Sequence, residues 1–149
     1  MPEVRITERN LVEELRSAFP EIEDKYQEEL KSWDGGFPGN YNVFAFVFKP
    51  LLKIEKAKNE NEDFLRRLSA FMERVCKSDD DDAINVIWLK IFKLVLPDKA
   101  TLKQLWPVLG SATKLNIVDA ALRWNLVGNL PLEGQTGILR ALVKPRPQG

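Results

Sequence analysis

The chain has 149 residues, of which 44% are hydrophobic and 30% are charged, and its 22 basic residues balance its 22 acidic residues. This composition is typical of one globular domain with a sizeable core and excludes an intrinsically disordered chain. A net charge of zero gives no support to counterion-driven binding of nucleic acid, so we expect no nucleic-acid partner.

The sequence contains no histidine and a single cysteine, Cys76. Without imidazole, the Ser-His and Cys-His nucleophile pairs cannot form, and a four-ligand structural zinc site within one chain is excluded. We therefore expect no catalytic residues, no metal site and no cofactor. The lone cysteine, the polar first residues and the lack of an apolar run of about 18 residues predict a cytoplasmic protein without a signal peptide or a membrane span.

Two helices joined at Pro20 are predicted for residues 7–33. Apolar residues recur every three or four positions in both, which is the period of a helix packed on one side. Proline suits the first position of the second helix. Residues 1–31 hold nine acidic and five basic residues, so we expect an acidic, solvent-facing surface at this end of the chain.

The segment WDGGFPGNYN, residues 33–42, combines three aromatic residues with glycines and a proline and is predicted to be a loop. Loops of this kind often carry binding residues, and we select Trp33, Asp34, Phe37 and Tyr41 as candidate partner-binding residues. The alternative is a connector whose aromatic side chains fold back onto the core. Its glycines match neither a dinucleotide-binding fingerprint nor a phosphate loop.

Residues 42–56 are predicted to be helical, with a kink near Pro50. Valine and alanine alternate with three phenylalanines here, which would also fit a buried strand, but Pro50 would disrupt a central strand. After a polar connector, EDFLRRLSAFMERVCK has the pattern of a helix with one buried face. The apolar positions of that face are Phe64, Leu65, Leu68, Phe71, Met72 and Val75.

Four consecutive aspartates, residues 79–82, precede AINVIWLKIFKLVL, which is apolar on nearly every face. Consecutive side chains cannot converge on one ion, and the glycine of a calcium loop is missing. Aspartate is by contrast favoured at a helix N-terminus, where unpaired N–H groups attract negative charge. We interpret the aspartates as a helix start, with an acidic partner-binding patch as the alternative. The apolar helix that follows is predicted to be central and covered by its neighbours.

Beyond Pro97, a short helix closing at Gly110 is predicted, which Pro107 shortens. A further helix over residues 111–125 places four apolar residues on one face: Leu115, Val118, Ala121 and Leu122. The predicted helical domain is 1–126, and residues 127–149 form an irregular, partly flexible tail with one short turn at residues 137–143. Three tryptophans are expected as core or interface anchors: Trp88, Trp106 and Trp124.

The run of helical patterns with short connections between residues 62 and 125 indicates an all-α fold. We expect a single domain built as an antiparallel stack of about six or seven helices, of which HEAT-like stacking is one form.

Four segments carry a family resemblance. Phe19-Pro20-Glu21 lies at the end of an amphipathic helix, and Phe71-Met72-Glu73 precedes the aspartates and the apolar residues 83–92. In this order they resemble an uncharacterised family of small, all-helical bacterial proteins, over residues 9–122. At Phe37-Pro38-Gly39 the chain departs from the leucine-proline-histidine element of that family, so no role of that histidine is carried over. The resemblance implies no established activity, and it suggests association with bacterial toxins as an immunity-type partner.

These features predict a non-catalytic helical module, of an immunity-like kind, that binds another protein through the acidic N-terminal face or the aromatic loop. One alternative is a self-associating structural protein, which requires a large exposed apolar patch. The other is a ligand-binding or carboxylate-based enzyme domain that uses Asp34, Tyr41 and nearby glutamates around an apolar pocket. The expected partner is another protein, or a second copy in a homo-oligomer, with neither nucleic acid nor membrane involved.

Overall fold

A computed structural model describes residues 4–34 and 36–136 of the chain. These residues form helices and turns with no β-strand among them, and none of their helices has the length and apolar character needed to cross a bilayer. The helices are α1 (Leu11–Ala18), α2 (Glu23–Ser32), α3 (Asn40–Val43), α4 (Lys49–Lys56), α5 (Glu62–Cys76), α6 (Asp81–Ile87), α7 (Lys93–Val95), α8 (Lys99–Leu105) and α9 (Ser111–Arg123). The prediction of an all-α, single-domain fold is confirmed.

Helices α3 and α4 are joined by a π-helical segment, Phe44–Phe48, and α6 and α7 by another, Trp88–Phe92. Pro50 explains the first, because it has no N–H to donate to the carbonyl of Phe46 and its ring crowds that carbonyl. A wider π turn accommodates both effects within a continuous helix. The kink predicted near Pro50 therefore takes the form of a π turn. The second segment has no proline within it, and its sequence does not predict it.

The core is built around α5, which packs against α1, α6 and α9. Every apolar position predicted for its inner face is buried, which confirms the helix with one buried face. Neighbouring phenylalanine rings in the core lie with their centroids 4.9 to 6.5 Å apart, and such pairs contribute about 0.5–1.5 kcal/mol each beyond the area they bury. The cluster comprises Phe19, Phe44, Phe48, Phe64 and Phe71.

Ion pairs connect the acidic N-terminal region to α5. Arg67 donates from both terminal nitrogens to the Glu21 carboxylate, at 2.7 and 2.6 Å, which is the bidentate geometry that strengthens such pairs. Arg74 Nη1 donates to Glu14 Oε2 at 3.1 Å. Part of the acidic surface predicted for residues 1–31 is therefore neutralised by arginines of α5.

The aspartates start α6, as predicted. Asp80 is the N-cap residue, and its Oδ1 accepts from the backbone N–H of Ala83 at 3.0 Å. Its Oδ2 accepts from the N–H of Glu8 at 3.3 Å. Hydrogen bonds from these N–H groups, the Ala83 one foremost, lower the pKa of Asp80. Asp81 and Asp82 lie exposed in the first turn of the helix, where negative charge is favourable.

The face predicted for α9 is only partly the buried one. Ala121 is buried and Val118 half-buried, but Leu115 is 72% exposed and Leu122 47% exposed. The buried positions are Thr113, Ile117, Ala120 and Ala121. Because α9 packs on both α5 and the segment Trp88–Phe92, small residues at its contact face allow the helices to approach closely. The prediction was wrong for the two leucines.

Gly110 begins α9 instead of closing α8. Pro107 shortens α8 as predicted: the helix ends at Leu105 and continues as a 3-10 turn, Trp106–Val108. Gly110 has φ −76°, a conformation open to any residue. Its role is spatial, because the Glu73 carboxylate lies where a side chain at this position would be. An added Cβ would be only 2.2 Å from Glu73 Cδ.

Residues after 126 are in part described. Val127–Asn129 form a 3-10 turn, the side-chain amide of Asn129 donates to the carbonyl of Leu96 at 2.9 Å, and Leu130 is buried. The turn predicted at residues 137–143, and the rest of the predicted tail beyond it, lie outside the described residues. The division into 1–126 and 127–149 stays a prediction.

Candidate functional site

The aromatic loop predicted to bind a partner presents its rings to solvent. Trp33, Phe37 and Tyr41 are 46%, 60% and 40% exposed. The alternative prediction, in which these rings fold back onto the core, is therefore wrong. Asp34 has φ 53°, in the left-handed region that is uncommon for residues other than glycine, and Gly39 has φ 94° just before α3. Exposure is what partner binding requires, and the binding itself stays a prediction.

Tyr41 connects the loop to α6. The side-chain amide of Asn85 donates to Tyr41 Oη at 2.7 Å. Lys90 Nζ lies 5.9 Å from the centroid of the Tyr41 ring, within the range of a cation–π contact. Trp33, by contrast, is held locally, because its indole N–H donates to Glu29 Oε1 at 3.0 Å on α2. The side chain of Tyr41 thus contacts α6.

Asn85 also lines a concave surface, which we call the α6–α9 groove. It is a shallow concavity open to solvent, with a volume of about 470 Å³. One wall comes from α6 and the π segment after it, and the other from α9. The lining residues are Asp81, Ile84, Asn85, Trp88, Leu89, Asn116, Asp119, Arg123 and Trp124.

Two half-buried tryptophans form the apolar part of the groove. The rings of Trp88 and Trp124 meet edge to face, with centroids 5.8 Å apart and an interplanar angle of 82°. The Trp88 indole N–H donates to Asn116 Oδ1 at 2.9 Å, and the amide nitrogen of Asn116 donates to the carbonyl of Ala112 at 2.9 Å. This chain of hydrogen bonds ties Trp88 to the backbone of α9 and holds its ring in one orientation.

The π segment places some of its side chains in the core and others at the groove. Ile91 and Phe92 are buried in the core, while Trp88 is half-buried and Leu89 exposed at the groove. A π turn widens the helix locally and shifts the direction of the side chains around it, and such turns are frequent at functional sites. The prediction that this apolar helix is covered on all sides is therefore wrong at the groove.

The charged groups of the groove are two aspartates and one arginine. Arg123 Nε lies 3.2 Å from Asp119 Oδ1, and the guanidinium carbon lies 5.7 Å from the centroid of the Trp88 ring. Beside the groove, Lys93 Nζ lies 5.6 Å from the centroid of the Trp124 ring. Together with the amides of Asn85 and Asn116, these groups offer apolar stacking, hydrogen bonding and charge pairing, which suit recognition of another molecule.

Acidic side chains and the single cysteine, Cys76, are the other groups that could carry chemistry. In the described ranges, no cluster of three or more histidine, cysteine, aspartate or glutamate side chains has the geometry of a metal site. Cys76 is buried at the end of α5, and burial raises its pKa to about 11. A thiol with that pKa stays protonated near neutrality and is a poor nucleophile. The negative charge of Glu73 adds to the effect of burial, and a hydrogen bond with Thr113 opposes it.

The comparisons with known proteins identify a family. A family model described as a domain of unknown function, DUF7674, matches residues 12–125, which is more than half of the chain. The chain belongs to the DUF7674 family. The prediction of an uncharacterised family is thereby confirmed. No curated protein and no solved structure matches the chain.

The match to DUF7674 covers both walls of the groove and the aromatic loop. Sequence reasoning missed the groove in this DUF7674 domain because its walls come from helices that are separated along the chain. One feature of the sequence could have indicated the groove. The helix after the aspartates is apolar on nearly every face, so part of its apolar surface can remain outside the core. Of the three expected anchors, Trp106 is buried, whereas Trp88 and Trp124 line the groove.

Proposed function

We propose that this DUF7674 protein is a non-catalytic interaction module that binds another protein through the α6–α9 groove and the aromatic loop beside it. The observation that carries the proposal is the pair of half-buried tryptophans, Trp88 and Trp124, in a concave surface. Tryptophan is enriched among the residues that dominate binding energy at protein interfaces, especially in partly enclosed pockets.

The exposed aromatic loop extends this surface. Phe37 and Tyr41 are exposed rings, and aromatic residues are enriched in protein interfaces relative to other surface. The hydrogen bond from Asn85 to Tyr41 makes the loop and the groove neighbours, so one partner can contact both. The cytoplasmic location, bacterial origin and immunity-like role expected from the sequence belong to this proposal, and the single cysteine supports a reducing compartment.

Site-specific photo-crosslinking tests this proposal. A photoreactive amino acid is placed at Phe37 or Leu89, and in a control variant at Ile54, which is 59% exposed on α4 and does not line the groove. Tagged proteins are then incubated with lysate of the cells that naturally make the chain. We expect the same protein to crosslink from positions 37 and 89 but not from 54.

Capture by alanine variants measures how much individual side chains contribute to binding of that partner. Leu89→Ala and Phe37→Ala are expected to weaken capture of that partner by about 5- to 30-fold, since truncation of a central interface residue costs about 1–2 kcal/mol. Ile54→Ala leaves capture unchanged. Equal capture by all variants, or crosslinks from position 54 alone, would place the interface elsewhere and refute the proposal.

Self-association is a second candidate, favoured by the outer face of α9. Leu115 and Leu122 are exposed there, on a different side of the helix from the buried residues. Two copies that pair through this face would cover both leucines. Sedimentation velocity of the wild type and of Leu115→Ser distinguishes the cases: a dimer that the substitution converts to monomer supports self-association, and a monomer at all concentrations removes it.

A further inference from the structure

We infer that the α6–α9 groove selects a basic peptide segment, in which an apolar side chain rests on Trp88 and Trp124 and a lysine or arginine pairs with Asp81. This inference rests on the proposed function and specifies the chemistry of the partner. It follows from the arrangement of charges around an apolar floor.

The lining of the groove is negative overall. Two carboxylates, Asp81 and Asp119, and one guanidinium, Arg123, line it, and Arg123 pairs with Asp119 at 3.2 Å. In the part of the chain that the structure describes, no lysine or arginine nitrogen lies within 4.0 Å of the Asp81 carboxylate. Asp81 is therefore the charge in the groove that a partner can complement. Because Asp81 is exposed and pairs with no lysine or arginine of the described residues, a basic segment gains an attraction there that an acidic segment does not.

The positively charged side chains near the groove lie toward the end away from Asp81. Lys93 and Arg123 stand over the rings of Trp124 and Trp88, respectively, and would repel a cation placed there. Asp81 and Lys93 are separated along α6 and its continuation by about 18 Å, at 1.5 Å per residue. The cation of the partner is thereby directed to the end of the groove at Asp81, which orients the bound segment.

The positions of Asp81 and Trp88 also set the distance between the cation and the apolar anchor of the partner. Asp81 and Trp88 are separated by about 10 Å along the helix axis. A partner bridging that distance carries its cation and its apolar anchor about seven residues apart if it is helical, or about three residues apart if it is extended. An anionic peptide is repelled by Asp81 and is selected against, whereas an uncharged apolar peptide lacks the added attraction and is enriched less.

A random peptide library displayed on phage tests the inference. The library is panned against the wild-type protein and against Asp81→Lys, with Asp82→Lys as the matched control, since Asp82 is exposed in the same turn and does not line the groove. Both substitutions change the charge at the helix start equally. We expect wild-type selections to combine a large apolar residue with lysine or arginine at one of the two spacings.

Synthetic copies of the selected peptides then give affinities. We expect Asp81→Lys to weaken binding at least 10-fold and Asp82→Lys to change it less than about 3-fold, which converts to at least 1.4 kcal/mol at position 81. Enrichment of anionic or uncharged peptides above basic ones, equal losses for both variants, or the absence of any enriched peptide would overturn the inference. A dimer that Leu89→Ala dissociates would also overturn it, because a second copy would then occupy the groove.

The basic-peptide inference can fail while the interaction module stands. Photo-crosslinking from positions 37 and 89 reports binding whatever the charge of the partner. A protein that crosslinks there but presents an acidic or uncharged segment leaves the interaction module standing and removes the basic-peptide inference. If nothing crosslinks at either position, both proposals are lost together.

Discussion

Replacing Gly110 by alanine should destabilise the protein although alanine suits the backbone there. The Glu73 carboxylate occupies the space in question: an added Cβ would lie 2.2 Å from Cδ and 2.5 and 2.6 Å from the two oxygens. That carboxylate accepts from the N–H groups of Ala112 and Thr113 at 3.3 and 2.8 Å and from the Thr113 hydroxyl at 2.8 Å. Since Gly110 has no side chain, Glu73 takes the place of an N-cap for α9.

The cost comes from losing this cap. The Glu73 side chain can rotate away from a new methyl group, so the clash itself is inexpensive. Rotation leaves N–H groups of the first turn of α9 without their charged acceptor, which costs about 2 kcal/mol. Alanine has less conformational freedom than glycine in the unfolded chain, which offsets about 0.5 kcal/mol of this cost. We expect a net loss of about 1.5 kcal/mol, or a midpoint lower by roughly 0.7 M urea for an m-value of about 2 kcal/mol per M.

Urea unfolding followed by circular dichroism measures this loss. Gly128→Ala is the matched control, because nothing lies within 4 Å of a Cβ added at Gly128, and it should be neutral or slightly stabilising. Repeating Gly110→Ala in a Glu73→Ala background removes the displaced group, and the effect of the alanine should then disappear. An undiminished loss in that background, or no loss in the wild type, would refute the capping role of Glu73.

The pH dependence gives an independent check. Burial alone would raise the pKa of Glu73, but the hydrogen bonds from Thr113 and Ala112 outweigh it and lower the pKa below the usual 4.5. A carboxylate with a depressed pKa in the folded state stabilises the protein fully above the unfolded-state value. The stability difference between the wild type and Glu73→Gln should therefore be constant above about pH 5 and shrink as the pH falls below 4.5.

Three further predictions concern other contacts. The hydrogen bond from Arg16 lowers the pKa of Glu23 to about 2; in Arg16→Gln an NMR titration should find it shifted toward 4.5, and an unshifted value would contradict the pairing. In the native protein near pH 8, Cys76 should resist Ellman's reagent because burial raises its pKa to about 11, and labelling within minutes without denaturant would contradict this. Ile117→Ala should lower the free energy of unfolding by about 2–4 kcal/mol and Leu115→Ser by less than about 0.5 kcal/mol; equal losses would reverse the assignment of the α9 faces.

Local patterns in the sequence predicted much of the fold. The buried face of α5 follows from the helical period of its apolar residues, and the start of α6 follows from aspartates that cap its N-terminus. The loop before α3 follows from its glycines and proline. Each of these signals lies within one helix or one loop, so it does not depend on knowing which elements pack together.

Only the tertiary structure decided which surfaces remain open. Trp88 and Trp124 meet because α9 packs beside the π segment, and no local pattern records that two such distant residues share a groove. The same packing buries Ile117 and leaves Leu115 exposed to water, although both are apolar residues of one helix. Glu73 likewise caps a helix that begins more than thirty residues later. Periodicity determines that a residue lies on a helix, whereas burial depends on which neighbouring helix covers that residue.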